Sequence, residues 1–304
     1  MKIVILLALS IIILPGCKNE KNSQQTFLSK EWYEGKAEIA SYDLTQARYG
    51  ELRKGESVLI FVTEDMSSTK LVKLDSTAAD AVPVLKMNFT KKFNTGIYPY
   101  SMMLSVFTPV SSGGNERTLK ASCSVQEWCG HAFSQIRLDG DSYHWQLHSY
   151  FEKESEQDNS FSASFLEDEI WTRIRINPET LPQGKIAVVP GLFWQRFSHG
   201  VLKATEAVAS RTAADSFFIK DSAAQMYTLH FPEIQRTLQV YYEAAPPHKI
   251  LGWQESYPDT FSSTGGILTT TATRKKSIWL DYWKHNHLSD STYRTLLDLP
   301  LDAR

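Results

Sequence analysis

The residues best placed to do chemistry together are two histidines and a cysteine in the middle of the chain. Runs 133–138 and 143–151 alternate apolar and polar residues on either side of Asp139-Gly140. An Asp-Gly pair between alternating runs is among the strongest short hairpin signals. A two-residue Asp-Gly loop sets Leu138 opposite Asp141, Ile136 opposite Tyr143 and His131 opposite His148. One face is then apolar, with Ala132, Ile136, Leu138, Tyr143, Trp145 and Leu147. The other gathers Glu127, Cys129, His131, Gln135 and Arg137 against His144, Gln146, His148 and Tyr150. Directly opposed residues have Cβ atoms about 4.5–5.5 Å apart. His131, His148 and Cys129 therefore form an expected Zn²⁺ site or Cys–His pair, the basis for a metal- or Cys/His-dependent hydrolase. The simpler alternative is a solvated or ligand-lining polar face. His144 and His148 have the spacing of a helical metal pair, but on a strand they stand about 13 Å apart and cannot share one ion.

Other catalytic signatures are missing. The chain has no phosphate loop, no dinucleotide glycine fingerprint, no nucleophile-elbow serine and no paired-histidine zinc helix. Trp128-Cys129-Gly130 resembles the opening of a thioredoxin redox motif, but His131 and Ala132 follow where the second cysteine belongs. The formal net charge of −2 offers no basic excess to neutralise phosphates, which argues against a nucleic-acid partner. Eight tryptophans, thirteen tyrosines and fifteen phenylalanines fall largely on strands. Such residues fill β cores, and they also line surfaces that hold sugars or lipids.

The N-terminus sets the compartment. Met1-Lys2 precedes an apolar run from Ile3 to Leu14, and Pro15-Gly16-Cys17 ends it. This is the layout of a secretory signal, too short for a span of roughly 20 residues. A small residue before cysteine at that point resembles the lipobox of bacterial lipoproteins. The expected organisation is a signal peptide over 1–16, a polar tether over 17–30 lipidated at Cys17, and one β-rich domain over 31–304. The acyl chains would anchor the protein to the envelope, at the outer membrane, through the bilayer. Export also makes a Cys123–Cys129 bridge conceivable, although an extended strand between them would hold them roughly 20 Å apart.

Period-2 patterning dominates the rest. Strands are expected over 37–44, 58–63, 85–90, 100–106, 119–126, 133–138, 143–151, 170–176, 201–210, 226–231, 237–243, 250–257 and 268–273. Only the tail reads as helical, with Ser289 capping 290–299. The expected fold is mainly β: a single large antiparallel curled sheet or half-barrel with a short C-terminal helix. Asp221-Ser222-Ala223, Asp75-Ser76-Thr77 and Asp290-Ser291-Thr292 match the three-residue pattern of Bacteroidota O-glycosylation, making Ser222, Ser76 and Ser291 candidate acceptors.

Three stretches carry a wider resemblance: Gln46-Ala47-Arg48-Tyr49-Gly50, the run from Lys91 to Met102, and Gln126-Glu127-Trp128-Cys129-Gly130-His131. From about Trp32 onward the chain resembles a Bacteroidota lipoprotein family commonly labelled septum formation inhibitor Maf. Maf nucleotide pyrophosphatases are cytosolic and open with Ser-x-Ser-Pro-Arg-Arg, which this chain lacks. The resemblance thus implies an envelope lipoprotein and carries over no catalytic residue. Together these features lead to the expectation of a binding or structural module for a lipophilic or glycan ligand or an envelope partner. No cofactor is expected unless zinc occupies the histidine face.

Overall fold

A computed structural model of the chain describes residues 28–111, 116–214, 223–259 and 266–301. The leader, Cys17 and Ser222 lie outside the described residues. Eight strands follow one another as a meander: β1 (Ala37–Arg48), β2 (Glu51–Ser67), β3 (Ala81–Thr95), β4 (Tyr98–Pro109), β5 (Lys120–Glu127), β6 (Gly130–Asp139), β7 (Ser142–Ser149) and β8 (Gln157–Ser162). The short β9 (Phe165–Leu166) leads into helix α1 (Ile170–Ile176). Strand β10 (Gly184–Val189) leads into helix α2 (Leu192–Ser198). A second meander returns through β11 (Thr205–Ala213), β12 (Ala224–Phe231), β13 (Arg236–Glu243), β14 (Ile250–Pro258) and β15 (Ile267–Leu280).

Among the described residues, fifteen strands form one open sheet, in the order β8 to β1, then β15 down to β9. The β1–β15 pair joins the two meanders, and among these described strands only β9–β10 is parallel. The large curled sheet expected from period-2 patterning is thus present. So is a short helical C-terminal segment, a 3-10 turn over Leu288–Leu297. That segment packs on the convex face, where Leu297 and Leu299 meet Ala37, Ile39 and Val62, and Leu297 O accepts a 2.5 Å bond from Ser41. Among the described residues no helix is long and apolar enough to cross a membrane.

The concave face wraps around α1. Every residue of Ile170–Ile176 is buried, and the strand expected over 170–176 is a helix instead. Ile-Trp-Thr-Arg-Ile-Arg-Ile alternates like a strand, yet an encircled helix needs no polar stripe. Its arginines instead find carboxylate partners inside. Arg173 pairs with Glu169 at 3.3 Å and donates to Glu116 O at 3.0 Å. Arg175 pairs with Glu38 between the rings of Trp32 and Phe61. Trp171 packs edge-on to Phe89 and Trp253, with centroids 5.0 and 5.3 Å apart. Helix α2 likewise contradicts the expectation that only the tail is helical.

Register differs from expectation in the central hairpin. Asp139 pairs with Ser142 and Phe133 with His148, so the loop is Gly140-Asp141. Gly140 has φ +56°, and a two-residue loop with glycine first accepts that value without a Cβ clash. Moving the turn by one residue moves the pairing by two. Parity is kept, so Ala132, Ile136, Tyr143, Trp145 and Leu147 still face the core, while His131 no longer faces His148.

Gly191 caps α2 where the chain crosses the carboxylates of the 3-10 turn Glu167–Glu169. A Cβ there would lie 2.7 Å from Glu167 Oε1 and 2.9 Å from Asp168 Oδ1. Gly191→Ala is expected to destabilise the fold by about 1–3 kcal/mol through overpacking, seen as a lower urea midpoint with an unchanged slope.

Candidate binding site

The face singled out in the sequence does point outward and is polar, but it does not assemble as a metal site. His144 Nε2 meets Asp158 Oδ1 at 2.5 Å, and His148 Nδ1 meets Glu156. Each of these imidazoles is thus engaged with a carboxylate on the β8 side of the sheet. The hydrogen bond from His144 holds Asp158 below the usual carboxylate range. His131 is exposed and level with Tyr150, whose N–H donates to His131 O at 3.4 Å. Cys129 is exposed in the β5–β6 turn, and its N–H donates to Glu127 at 2.6 Å. The Glu127 side chain itself is buried, turning inward to 4.0 Å from Arg196. Among the described residues no group of three or more His, Cys, Asp or Glu is placed to hold a metal ion. Cys123 is a free thiol in the core, and burial pushes it well above its usual range. Ser76 and Ser291 are exposed, as acceptors of modification would be.

The concave side carries a second constellation. Arg236 grips Glu167 with two bonds of 2.5 Å and donates from Nε to Glu255 at 2.9 Å. Lys91 lies 4.0 Å from Glu255 and 5.0 Å above the Phe193 ring. All four groups are buried. Burial alone would raise Glu255, but Arg236 and Lys91 outweigh it and hold the carboxyl below its ordinary range. Burial pushes the Lys91 amine down, opposed by Glu255. Beside them, burial and then the Glu167 charge push Asp168 up to about 8. With Asp168 protonated at neutral pH, two cations face two anions. Asp168 also accepts the Leu192 N–H at 3.0 Å, tying the start of α2 to this cluster.

Asp168 gives stability a distinct pH dependence. The folded state holds a proton that the unfolded chain releases above its ordinary value of 3.8. The contribution is therefore complete below about pH 4 and is lost as pH rises through about 8. Urea midpoints of wild type and Asp168→Asn across this range are expected to diverge, with the downward slope shallower in the variant. Other titrating groups act on both chains and cancel in the difference.

Helix α2 is also held at its far end. Arg48 donates to Phe197 O at 3.0 Å, with its guanidinium over Tyr49 and Phe197. Arg196 reaches Glu154 at 3.2 Å. Between these attachments Trp194 is half-buried, 5.0 Å from Tyr257 and over the Arg236 guanidinium. On one side of it a cleft of about 250 Å³ is walled by Phe197, Ile234, Tyr257 and Pro258, with Arg48 and Asp259 at its polar edge. On the other a cleft of about 190 Å³ is bounded by Pro190, Val201, Leu202 and Ile234. Underneath, a space of about 20 Å³ among Lys91, Asp168, Arg236 and Glu255 has room for one water. A larger cavity of about 610 Å³ lies at the opposite end of the sheet, between Trp32, Arg175, His248 and Trp279. Its walls are as polar as apolar, so the Trp194 clefts fit an apolar ligand better.

No protein-family model matches the chain, and no curated protein does. Among solved structures, a DUF1089 family protein from Pseudomonas aeruginosa is similar at 10% identity and a TM-score of 0.32. That match covers 55% of this chain and 82% of that one. A porin-like protein from Bacteroides uniformis is similar at 8% identity and a TM-score of 0.22, covering 78% and 95%. Likeness at this level fixes neither the fold nor the function.

Proposed function

We propose that the chain is a lipid-anchored envelope lipoprotein whose folded body binds a lipophilic molecule in the clefts beside Trp194. The observation that carries this is the pair of apolar clefts flanking one half-buried tryptophan on a short helix, above a buried and charge-balanced polar cluster. Pockets for apolar ligands combine such walls with a few fixed polar groups. Here Arg48 and Asp259 at the cleft edge suit the polar head of the ligand, and the aromatic and aliphatic walls suit its chain. The walls offer little for the hydroxyls of a glycan. The anchor follows from the leader and Cys17, and the resemblance to Bacteroidota lipoproteins supports it.

Native mass spectrometry of protein extracted from membranes of the host tests the reading. The expected spectrum holds a lipophile beyond the mass of the acylated polypeptide, lost in Trp194→Glu, which puts a charge between the clefts. Cys17→Ser is expected to lose the acyl chains, read as their absence from the intact mass. Wild-type protein that carries no lipophile and takes up no fluorescent fatty acid would overturn the binding reading.

A further inference from the structure

β1 runs from an end marked by Ala37 to an end marked by Arg48, and the turns of both meanders alternate between these ends. The Arg48 end carries Leu52, Ile97, Trp128, Tyr150, Val201 and Ile267, all exposed. Ile97 is 84% exposed, Trp128 69% and Tyr150 73%. These values are far from what packing would leave. Ile97 sits in the β3–β4 loop beside Gly96, Trp128 in the β5–β6 loop, and Tyr150 where β7 ends, its ring against Gly130. They sit on separate turns of the sheet, at the end where the Trp194 clefts lie.

A protein partner is met by a continuous, closely packed core of contacts. Isolated tips suit a fluid interface, into which each can sink independently. Tryptophan and tyrosine in particular settle at the headgroup level, with an apolar ring and a polar edge. Exposed Lys54, Lys92 and Lys203 share this end with exposed Glu51 and Glu233, so attraction to anionic lipid is not required. Leu28 lies beside Trp32 at the Ala37 end, so a bilayer at the Arg48 end is one strand length away from it. From Cys17 to Leu28 is eleven residues, which span at most about 36–40 Å. That is close to the length of the twelve-residue β1 at about 3.3 Å per residue, before strand tilt shortens it.

We propose that the Arg48 end stands on the same bilayer that holds the Cys17 anchor, with Ile97 and Trp128 in the headgroup–acyl boundary. The Trp194 clefts then open against lipid. This deepens the lipophile-binding reading and rests on it for its purpose, while the docking itself is measured separately.

The test is flotation of the mature polypeptide, residues 18–304, made without acyl chains, on phosphatidylcholine vesicles. This polypeptide retains every described residue, and hence the whole sheet and core. Wild type is expected to float. Trp128→Ala and Ile97→Asn are each expected to lower partitioning about tenfold, the effect of withdrawing one large apolar side chain from an apolar medium. Leu288→Asn, exposed in the C-terminal turn away from these tips, is expected to float as wild type does. Unchanged urea midpoints would show that the two tip variants fold. Wild type that stays in the supernatant, or tip variants that float like wild type, would overturn the docking proposal. Lipophile found in the clefts without flotation would sink docking and leave the binding reading standing. Flotation lost in the tip variants, with no lipophile in the clefts, would sustain docking and sink the binding reading.

Discussion

Arg236→Ala is expected to cost about 3–5 kcal/mol, because it leaves Glu167 buried without its counter-ion and Glu255 with only Lys91, 4.0 Å away. A domain is stable by only about 5–15 kcal/mol in all, so the urea midpoint should fall by a large fraction of its value. The cause is an uncovered charge and not lost contact area, and two further variants separate these. Arg236→Lys keeps the charge but loses the fork that grips Glu167 twice and Glu255 once. It should recover only part of the loss. Arg236→Met with Glu167→Gln removes one cation and one anion together, leaves Lys91 beside Glu255, and should lie closer to wild type than Arg236→Ala alone. A double variant less stable than Arg236→Ala would mean that the cluster stabilises by its bonds and not merely by its balance.

Trp171→Ala is the second large effect, expected at about 3–5 kcal/mol. The indole belongs to an aromatic group centred on Phe89, which meets Trp171, Trp253 and Phe193 edge-to-face at 5.0 to 5.2 Å, while Trp171 also meets Trp253 at 5.3 Å. It is the point where the plug helix α1 touches strands of both meanders. Its loss leaves a cavity that the curled sheet cannot close, because β3 and β14 are fixed by their own neighbours. Added indole should restore part of the midpoint by refilling that space. A loss under 1 kcal/mol would show that α1 is a passenger and not the centre of the core.

What could be read from sequence follows from where each residue sits. Strands with one face on the core alternate, so nearly all of them could be found, and even the displaced hairpin kept its faces because its pairing moved by two. The Asp-Gly signal misplaces the turn by one residue, because Gly140 supplies the positive φ as the first loop residue. In helix α1 full burial erases the helical stripe. The candidate site was missed for a different reason. Lys91, Glu255, Glu167 and Arg236 are far apart in sequence and match no spacing rule, whereas His131, Cys129 and His148 lie within one hairpin.

A signal was nevertheless present. Lys91 stands on the same parity as Phe89 and Phe93, Glu255 on that of Trp253 and Tyr257, and Arg236 on that of Leu238 and Val240. A charged residue on the apolar parity of a strand must find a partner inside, and three such residues on separate strands point to a shared interior cluster. The strand pattern alone could have located that cluster. The clefts above it depend on how α2 is seated, which follows from Gly191, Asp168 and Arg48 acting together and from no local pattern.

Photolabelling with a diazirine-bearing fatty acid, followed by peptide mapping, tests the central claim most directly. Label is expected on the peptides that carry Trp194, Phe197 and Tyr257, and it should be competed away by unlabelled fatty acid and lost in Trp194→Glu. Label confined to the convex face, or absent while the protein remains folded, would contradict a lipophile-binding site beside Trp194.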